Sequence, residues 1–150
     1  MDSAPQLDSA LLFMFISLTG VVLLVMRYMP HLFTRVPFVE PRAAHGVMAE
    51  ETEMVVIDIR PPHEFAGGWG HLPGAVNLPA WELRRKLKEI GADLAPYREQ
   101  TVLVVCRSGI DAPRAVRILK RSGFTNLAVL KGGMKRWNKE GLPVEGGSNG

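Results

Sequence analysis

The sequence contains one cysteine, Cys106, among its 150 residues. A single thiol excludes an intramolecular disulfide and a zinc site built from several thiolates, because each needs at least two cysteines. The four histidines, at positions 31, 45, 63 and 71, lie in no spacing typical of metal ligands. We therefore predict no metal site and no bound cofactor. A lone thiol also favours a reducing compartment over an oxidising one.

The chain has no concentration of charge of one sign. Its 18 Lys and Arg residues against 15 Asp and Glu give a net charge of +3, and no basic run with interleaved aromatic residues is present. This distribution argues against nucleic acid as a partner. A hydrophobic fraction of 47% and a charged fraction of 22% are typical of a folded chain and not of a disordered one.

One N-terminal segment has no charged side chain at all. It covers residues 9–26, from Ser9 to Met26. As a helix it would span roughly 27 Å, close to the ~30 Å thickness of the hydrocarbon core of a bilayer. A cleaved signal peptide is the alternative, but no Lys or Arg precedes the segment and no small-residue cleavage site follows it. We predict that residues 1–29 form a short tail and one transmembrane helix.

The arginines nearest to this segment all follow it in the chain, at Arg27, Arg35 and Arg42. Positively charged flanking residues stay on the cytoplasmic side of a membrane. We therefore predict a single-pass membrane protein whose N-terminus lies outside and whose remaining chain lies in the cytoplasm.

The chain after the apolar segment is expected to form one domain. Residues 30–38 are predicted to be a juxtamembrane linker, because Pro30 and Pro37 discourage a continuing helix. Residues 39–145 are predicted to be the globular domain. Residues 146–150, which are mostly Gly and Ser, are predicted to be a flexible tail.

Strand-like and helix-like segments alternate within that domain. Runs rich in Val, Ile and Leu predict buried strands at residues 54–59, 75–78, 101–105 and 127–130, with a weaker signal near 38–40. Apolar residues at helical spacing precede Gly91, Gly123 and Gly141, and they predict a helix before each glycine. This alternation indicates an α/β fold in which helices cover both faces of a parallel sheet.

Cys106 directly follows the predicted strand at 101–105 and precedes a polar loop that contains Gly109. Ligands of open parallel sheets bind beyond the carboxyl ends of the strands. Backbone N–H groups in such a loop bind anions and stabilise a thiolate. Asp111 is expected to cap the next helix, with Pro113 in its first turn. A lone cysteine is often an inert core residue, but this position favours a nucleophile.

Four motifs resemble those of the rhodanese-like family of single-domain sulfurtransferases, in the order and spacing of that family, over about residues 39–145. They are Asp58-Ile59-Arg60 with Glu64-Phe65, Gly70-His71-Leu72-Pro73-Gly74-Ala75-Val76-Asn77-Leu78, Cys106-Arg107-Ser108-Gly109, and Gly132-Gly133-Met134 with Trp137 and Gly141-Leu142-Pro143-Val144. The resemblance implies the rhodanese-like parallel sheet, here in a membrane-anchored form.

The resemblance also implies a function, that of a sulfurtransferase or sulfur carrier. Cys106 would take sulfane sulfur from thiosulfate or a persulfide donor, and its persulfide would pass that sulfur to cyanide, a small thiol or a thioredoxin-like protein. The backbone of the loop would hold the donor, and Arg107 would add positive charge. The substrate-binding residues implied in this way are Arg107, Ser108, Gly109, Ile110 and Asp111.

Three further residues are expected to support the site. Asp58 and Arg60 belong to its surroundings, and Arg60 is expected to pair with Glu64 or to hold a loop. His71 is expected to fix the loop into the next strand, with a role as general base less favoured. Asp111 departs from the family, which usually has Arg, Thr or Ser there. Its carboxylate would repel an anionic donor, which disfavours thiosulfate relative to a persulfide or protein donor.

Two other functions are alternatives to this one. A cysteine phosphatase or arsenate reductase needs Cys-x5-Arg, so that a guanidinium can bind the oxyanion, but the sixth residue after Cys106 is Ala112. The other alternative is a catalytically weak domain of the same family that serves as a membrane-tethered binding or sensor module. Trp69 is expected either to wall the pocket or to cover the edge of the sheet, and Trp137 is expected in the core.

Overall fold

The structure is a computed structural model, and it describes residues 13–14, 16–23, 36–50 and 54–147. The chain divides into two units, Met1–Arg35 and Val36–Gly150. In the first unit the described residues are helical. No helix among the described residues is long and apolar enough to cross a bilayer. Both ends of the span predicted at 9–26 lie outside those residues, so the membrane anchor stays a prediction.

The second unit is built on a parallel sheet of five strands. The strands are β1 (Phe38–Val39), β2 (Val55–Asp58), β3 (Val76–Asn77), β4 (Val102–Val105) and β5 (Leu127–Leu130). They lie in the order β1-β5-β4-β2-β3, and every pairing is parallel. The predicted parallel sheet is confirmed, including the weakly indicated strand near 38–40.

Five α-helices accompany this sheet in the described part of the second unit. They are α1 (Pro41–Glu50), α2 (Pro62–Phe65), α3 (Leu83–Glu89), α4 (Ala112–Arg121) and α5 (Gly133–Lys139), with a short 3₁₀ helix at Ala95–Tyr97. The three predicted helices correspond to α3, α4 and α5. The sequence did not indicate α2, which is a single turn, or α1, in which Pro41 and Ala44 are the buried residues, so its apolar face is too narrow to give a periodic signal.

The core lies on both faces of the sheet, as expected for an α/β fold. Along β4, Val102 and Val104 pack with α3 and α4 on one face, and Leu103 and Val105 pack with α1 and α5 on the other. This alternation is the two-residue period of a strand. It places Cys106, the next residue after Val105, on the same face as Val102 and Val104.

The register of the sheet brings two chain segments together at one edge. Asp58, the last residue of β2, lies opposite Val105, the last residue of β4. The ladder continues one step further, since the N–H of Ile59 donates to the carbonyl of Val105 at 2.9 Å. The segments that follow β2 and β4 therefore leave the sheet side by side, and Cys106 begins one of them.

The assignment of residues to the core predicts that substitution of two tryptophans changes the free energy of unfolding by very different amounts. Trp137 is fully buried and donates from its indole Nε1 to the carbonyl of Pro143 at 2.9 Å, whereas Trp81 is 63% exposed. Trp137→Ala should lower the free energy of unfolding by about 3–5 kcal/mol because it leaves a cavity. Trp81→Ala should change it by about 0.5 kcal/mol or less. Urea denaturation of the full chain in mild detergent measures both, and similar losses would contradict the core assignment.

Candidate active site

Cys106 is a free thiol that is 2% exposed at the carboxyl end of β4. Its Sγ accepts a hydrogen bond from the backbone N–H of Gly109 at 2.9 Å. Gly109 has a φ of +89°, a conformation that residues with a Cβ rarely adopt, so the turn of the loop at this position favours glycine. A backbone donor aimed at the sulfur stabilises negative charge on it.

The first turn of α5 binds the backbone of this loop. The N–H of Met134 donates to the carbonyl of Cys106 at 2.9 Å, and the N–H of Lys135 donates to the carbonyl of Arg107 at 3.0 Å. Gly133, the first residue of α5, has a φ of +56°, and a Cβ there would stand 2.2 Å from the Cys106 carbonyl oxygen. The backbone of Gly132 and Gly133 is thus in close contact with the cysteine loop.

Cys106 lines a cavity of about 470 Å³. The walls come from the segment after β2, from the segment before α3, from the cysteine loop and from α4. They are formed by Ile59, Arg60, Pro61, Glu64, Ala80, Trp81, Cys106, Arg107, Asp111, Arg114, Ala115 and Ile118. The cavity therefore brings together residues that are far apart in the chain, around one sulfur atom.

The structure brings together some of the predicted site residues and leaves others aside. Arg107 and Asp111 line the cavity, but Ser108, Gly109 and Ile110 do not appear in its walls, and the side chain of Ile110 is 80% exposed. The cavity walls that sequence reasoning missed are mainly Ala80, Trp81, Ala115 and Ile118. Ala115 and Ile118 belong to the helix that was predicted before Gly123, but no sequence signal placed Trp81 near Cys106.

Arg60 forms a buried ion pair with Asp58, and its predicted pairing with the Glu64 carboxylate is wrong. Its Nη2 and Nε lie 2.7 and 2.9 Å from Asp58 Oδ2. Toward Glu64 it donates only to the backbone carbonyl, at 3.2 Å, and it also donates to the carbonyl of Gly70 at 2.8 Å. Asp58 is favoured because both carboxylate oxygens face the fork of the guanidinium. The loop-holding role expected of Arg60 is therefore what the structure shows.

Glu64 instead contacts Arg107. Its Oε1 lies 3.3 Å from Arg107 Nη1. The guanidinium of Arg107 also lies over the ring of Trp69, 5.4 Å from the ring centre, a cation–π arrangement. Trp69 lines a second cavity of about 170 Å³ with Arg60, Glu64 and Arg107. Trp69 is not among the walls of the Cys106 cavity, so the structure does not give it the expected role of walling that pocket; its ring contacts Arg107 instead.

Asp111 precedes α4, but its expected capping bond is absent. Its side chain makes no cap hydrogen bond, and its backbone is in the right-handed helical region with φ −81° and ψ −21°. The side chain of a cap residue normally accepts a hydrogen bond from the N–H of the second or third helical residue. Here the second residue, Pro113, has no N–H, and the N–H of the third, Arg114, donates to the backbone carbonyl of Asp111 at 3.2 Å. The carboxylate thus has no donor in the helix, and Asp111 lines the cavity instead.

His71 lies outside the walls of the cavity that contains Cys106. Its Nδ1 is 3.1 Å from the carbonyl of Phe65, and its ring stacks on that of Phe65 with centres 3.7 Å apart. Its backbone forms an antiparallel bridge with Glu145. His71 therefore connects the loop before β3 to the C-terminal segment.

No group of three or more metal-ligating side chains is assembled within the part of the chain that the structure describes. What remains at the carboxyl edge of the sheet is one buried sulfur, a backbone donor and a cavity with mixed charges. The fold and this loop define an α/β domain with a single cysteine at the end of a central parallel strand, followed by a helix.

The Rhodanese-like domain family model matches residues 43–140, and the chain belongs to that family. It is 37% identical over 82 residues to the protein YqhL of Bacillus subtilis, a match that covers 55% of this chain and 59% of that protein. It is 31% identical over 97 residues to a sulfurtransferase of Allochromatium vinosum, covering 65% of this chain and 83% of that protein. A rhodanese-related protein of Thermoplasma volcanium has a similar structure, with a TM-score of 0.60, 26% identity and coverage of 73% and 98%.

The contact between α5 and the cysteine loop gives a prediction at Gly133. Gly133→Ala combines an unfavourable positive φ with a clash against the loop carbonyl, whereas Gly141→Ala, at φ +67°, has nothing within 4 Å of the new Cβ. Gly141→Ala should lower the free energy of unfolding by about 1–2 kcal/mol, the price of the backbone conformation alone. Gly133→Ala should lose roughly 2 kcal/mol more.

Urea denaturation measures this difference, and the rate of alkylation of Cys106 measures displacement of the loop. Alkylation should change in Gly133→Ala and stay at the wild-type rate in Gly141→Ala. Equal losses of stability with unchanged alkylation would show that the loop does not depend on this contact.

Proposed function

We propose that this protein is a sulfurtransferase or sulfur carrier that moves sulfane sulfur through a persulfide on Cys106. The observation that carries the proposal is the hydrogen bond from the Gly109 N–H to Cys106 Sγ, at 2.9 Å, in a thiol that lines a cavity. Membership of the rhodanese-like family supports it, as does the likeness to a relative named as a sulfurtransferase.

The chemistry needs only one cysteine. The Cys106 thiolate attacks the outer sulfur of the donor, so that a new S–S bond forms while the donor's own bond to that sulfur breaks. The leaving group departs with the bonding electron pair, as sulfite from thiosulfate or as a thiolate from an organic persulfide. An acceptor thiolate or cyanide then attacks the outer sulfur, and Cys106 leaves as a thiolate. The acceptor comes from outside, so no resolving cysteine is required.

The surrounding residues act by position and charge. The Gly109 N–H stabilises negative charge on the sulfur in the attacking and leaving thiolate. Arg107, held by Glu64 and Trp69, places a guanidinium at the cavity wall. The buried pair of Asp58 and Arg60 fixes the part of the wall that follows β2. These groups are in place before a donor binds, which lowers the reorganisation that the reaction requires.

The donor, the acceptor and the location complete the proposal. Asp111 at the cavity wall favours a persulfide donor over thiosulfate, because its carboxylate repels a dianion. The acceptor is a small thiol or a thioredoxin-like protein. Residues 9–26 attach the protein to a membrane with the domain on the cytoplasmic side.

A second candidate follows from the same carboxylate. A cavity that repels anionic donors would suit a catalytically weak domain that serves as a membrane-tethered binding or sensor module. The two functions differ at Cys106, because a sulfur carrier loses its function when the thiol is removed and a binding module does not.

The test is intact-mass spectrometry of the full chain after incubation with thiosulfate or with a low-molecular-weight persulfide. We expect a gain of one sulfur atom, which cyanide removes and which Cys106→Ser lacks. The gain should be faster with the persulfide. A folded sample that gains no sulfur from either donor would exclude the carrier and favour the binding module.

The placement of Asp111 in the cavity wall gives a second prediction. A unit charge about 8 Å from a dianion in water-like surroundings contributes about 1 kcal/mol, which corresponds to about fivefold in rate. Asp111→Asn should therefore raise the rate constant for persulfide formation from thiosulfate by about fivefold at low ionic strength, and Asp111→Arg should raise it further.

The control for this measurement is Asp93→Asn, which removes an exposed carboxylate that is not part of the cavity wall. It should leave the rate unchanged, and added salt should shrink the gain in Asp111→Asn. A rate in Asp111→Asn equal to that of the control would mean that the carboxylate does not act on the donor.

A further inference from the structure

The cavity beside Cys106 is much larger than a small inorganic donor requires. Its volume of about 470 Å³ corresponds to roughly fifteen water molecules at about 30 Å³ each, whereas thiosulfate has five atoms. One side of the cavity is formed by Ala80, Trp81, Ala115 and Ile118, which we call the apolar arm. Its volume and lining are those of a site for an organic group.

Trp81 is exposed, yet its backbone is fixed on both sides. The N–H of Ala80 donates to the carbonyl of Ile59 at 3.0 Å, at the end of the sheet. The N–H of Leu83 donates to the carbonyl of Pro79 at 3.0 Å, which closes the turn that carries Trp81. An aromatic ring that is 63% exposed on an anchored turn, next to a cavity, presents apolar surface to a ligand.

The helix α4 contributes two residues to the apolar arm. Ala115 and Ile118 are three residues apart and so share one face of that helix. Ala80 and Ala115 have short side chains, so the larger apolar groups of the arm are those of Trp81 and Ile118. The apolar arm therefore combines an aromatic ring with one face of a helix.

The charges around the cavity are nearly balanced. Arg60 is paired with Asp58 at 2.7 Å, and Arg107 lies 3.3 Å from Glu64. Arg114 and Asp111 also line the cavity, and neither forms an ion pair with another residue in the described part of the chain. A dianion thus finds no excess of positive charge, whereas a donor with one negative charge needs only one cation.

We propose that the physiological donor is an organic sulfane-sulfur compound with a single negative charge, whose apolar group lies in the apolar arm while its outer sulfur meets Cys106. This inference rests on the proposed sulfur transfer and adds the class of donor. Trp81 is then a specificity residue, which binds the organic group and not the reacting sulfur.

Two thiosulfonates provide matched probes, because methanethiosulfonate and benzenethiosulfonate are both monoanions with the same reacting bond. In each, Cys106 Sγ bonds to the outer sulfur, the bond from that sulfur to the sulfonyl sulfur breaks, and the sulfinate leaves with the electron pair. The probes differ only in the apolar group. Persulfide formation on the full chain is followed by rapid quenching and intact-mass spectrometry, and each rate constant is divided by that of a small free thiol.

In the wild-type protein the normalised rate constant should be at least tenfold higher for benzenethiosulfonate than for methanethiosulfonate. Trp81→Ala should lower the benzene rate constant about fivefold, as expected for loss of one aromatic contact, and the methane rate constant less than twofold. Ile118→Ala, which changes the part of the apolar arm contributed by α4, should act in the same direction. Tyr97→Ala removes a half-exposed ring outside the cavity walls and should change neither.

The failure of this inference differs from the failure of the proposed function. If both probes load Cys106 but Trp81→Ala and Ile118→Ala leave their ratio unchanged, the apolar arm does not bind the donor and sulfur transfer still stands. If neither probe nor any persulfide adds sulfur to Cys106 in folded wild-type protein, the proposed function is wrong, and so is the proposed class of donor.

Discussion

The buried ion pair of Asp58 and Arg60 is the interaction on which the rest of this site depends. Both side chains are almost fully buried, so each charge needs its partner, since an unpaired buried charge destabilises a fold by several kcal/mol (about 3–5). The pair also connects elements, because Arg60 bonds to the carbonyl of Gly70 while Asn77 bonds to the carbonyls of Asp58 and Arg60. The end of β2 and the loop before β3 thereby become one rigid wall.

The second wall is the cysteine loop, and it is rigid for a different reason. Backbone N–H groups of α5 bind the carbonyls of Cys106 and Arg107, and Gly133 allows the two segments to touch. The sulfur therefore belongs to a loop held by backbone hydrogen bonds, next to a wall that is held by a buried ion pair. Such preorganisation suits the proposed chemistry, in which a thiolate first attacks the donor and later leaves from the persulfide.

Most of the fold could be predicted from local signals, while part of the site could not. The runs of Val, Ile and Leu located the strands, and Cys106 at the end of one of them located the site. The Glu64 carboxylate as partner of Arg60 and the cap at Asp111 were wrong, because each depends on which groups remain available after the backbone has folded. Arg60 bonds to both oxygens of Asp58. Neither N–H that a cap residue normally bonds is available to Asp111, since Pro113 lacks one and that of Arg114 is used.

The sequence by itself determined the parallel α/β architecture, the family and the position of the single thiol, because these follow from periodicity, composition and motifs within short stretches of chain. Only the tertiary structure decided the walls of the cavity. Ala80 and Trp81 come from the turn before α3, and Ala115 and Ile118 come from α4, so their proximity to Cys106 arises from strand register and helix packing. Contacts between segments so far apart in the chain leave no local pattern, because no single segment contains both partners.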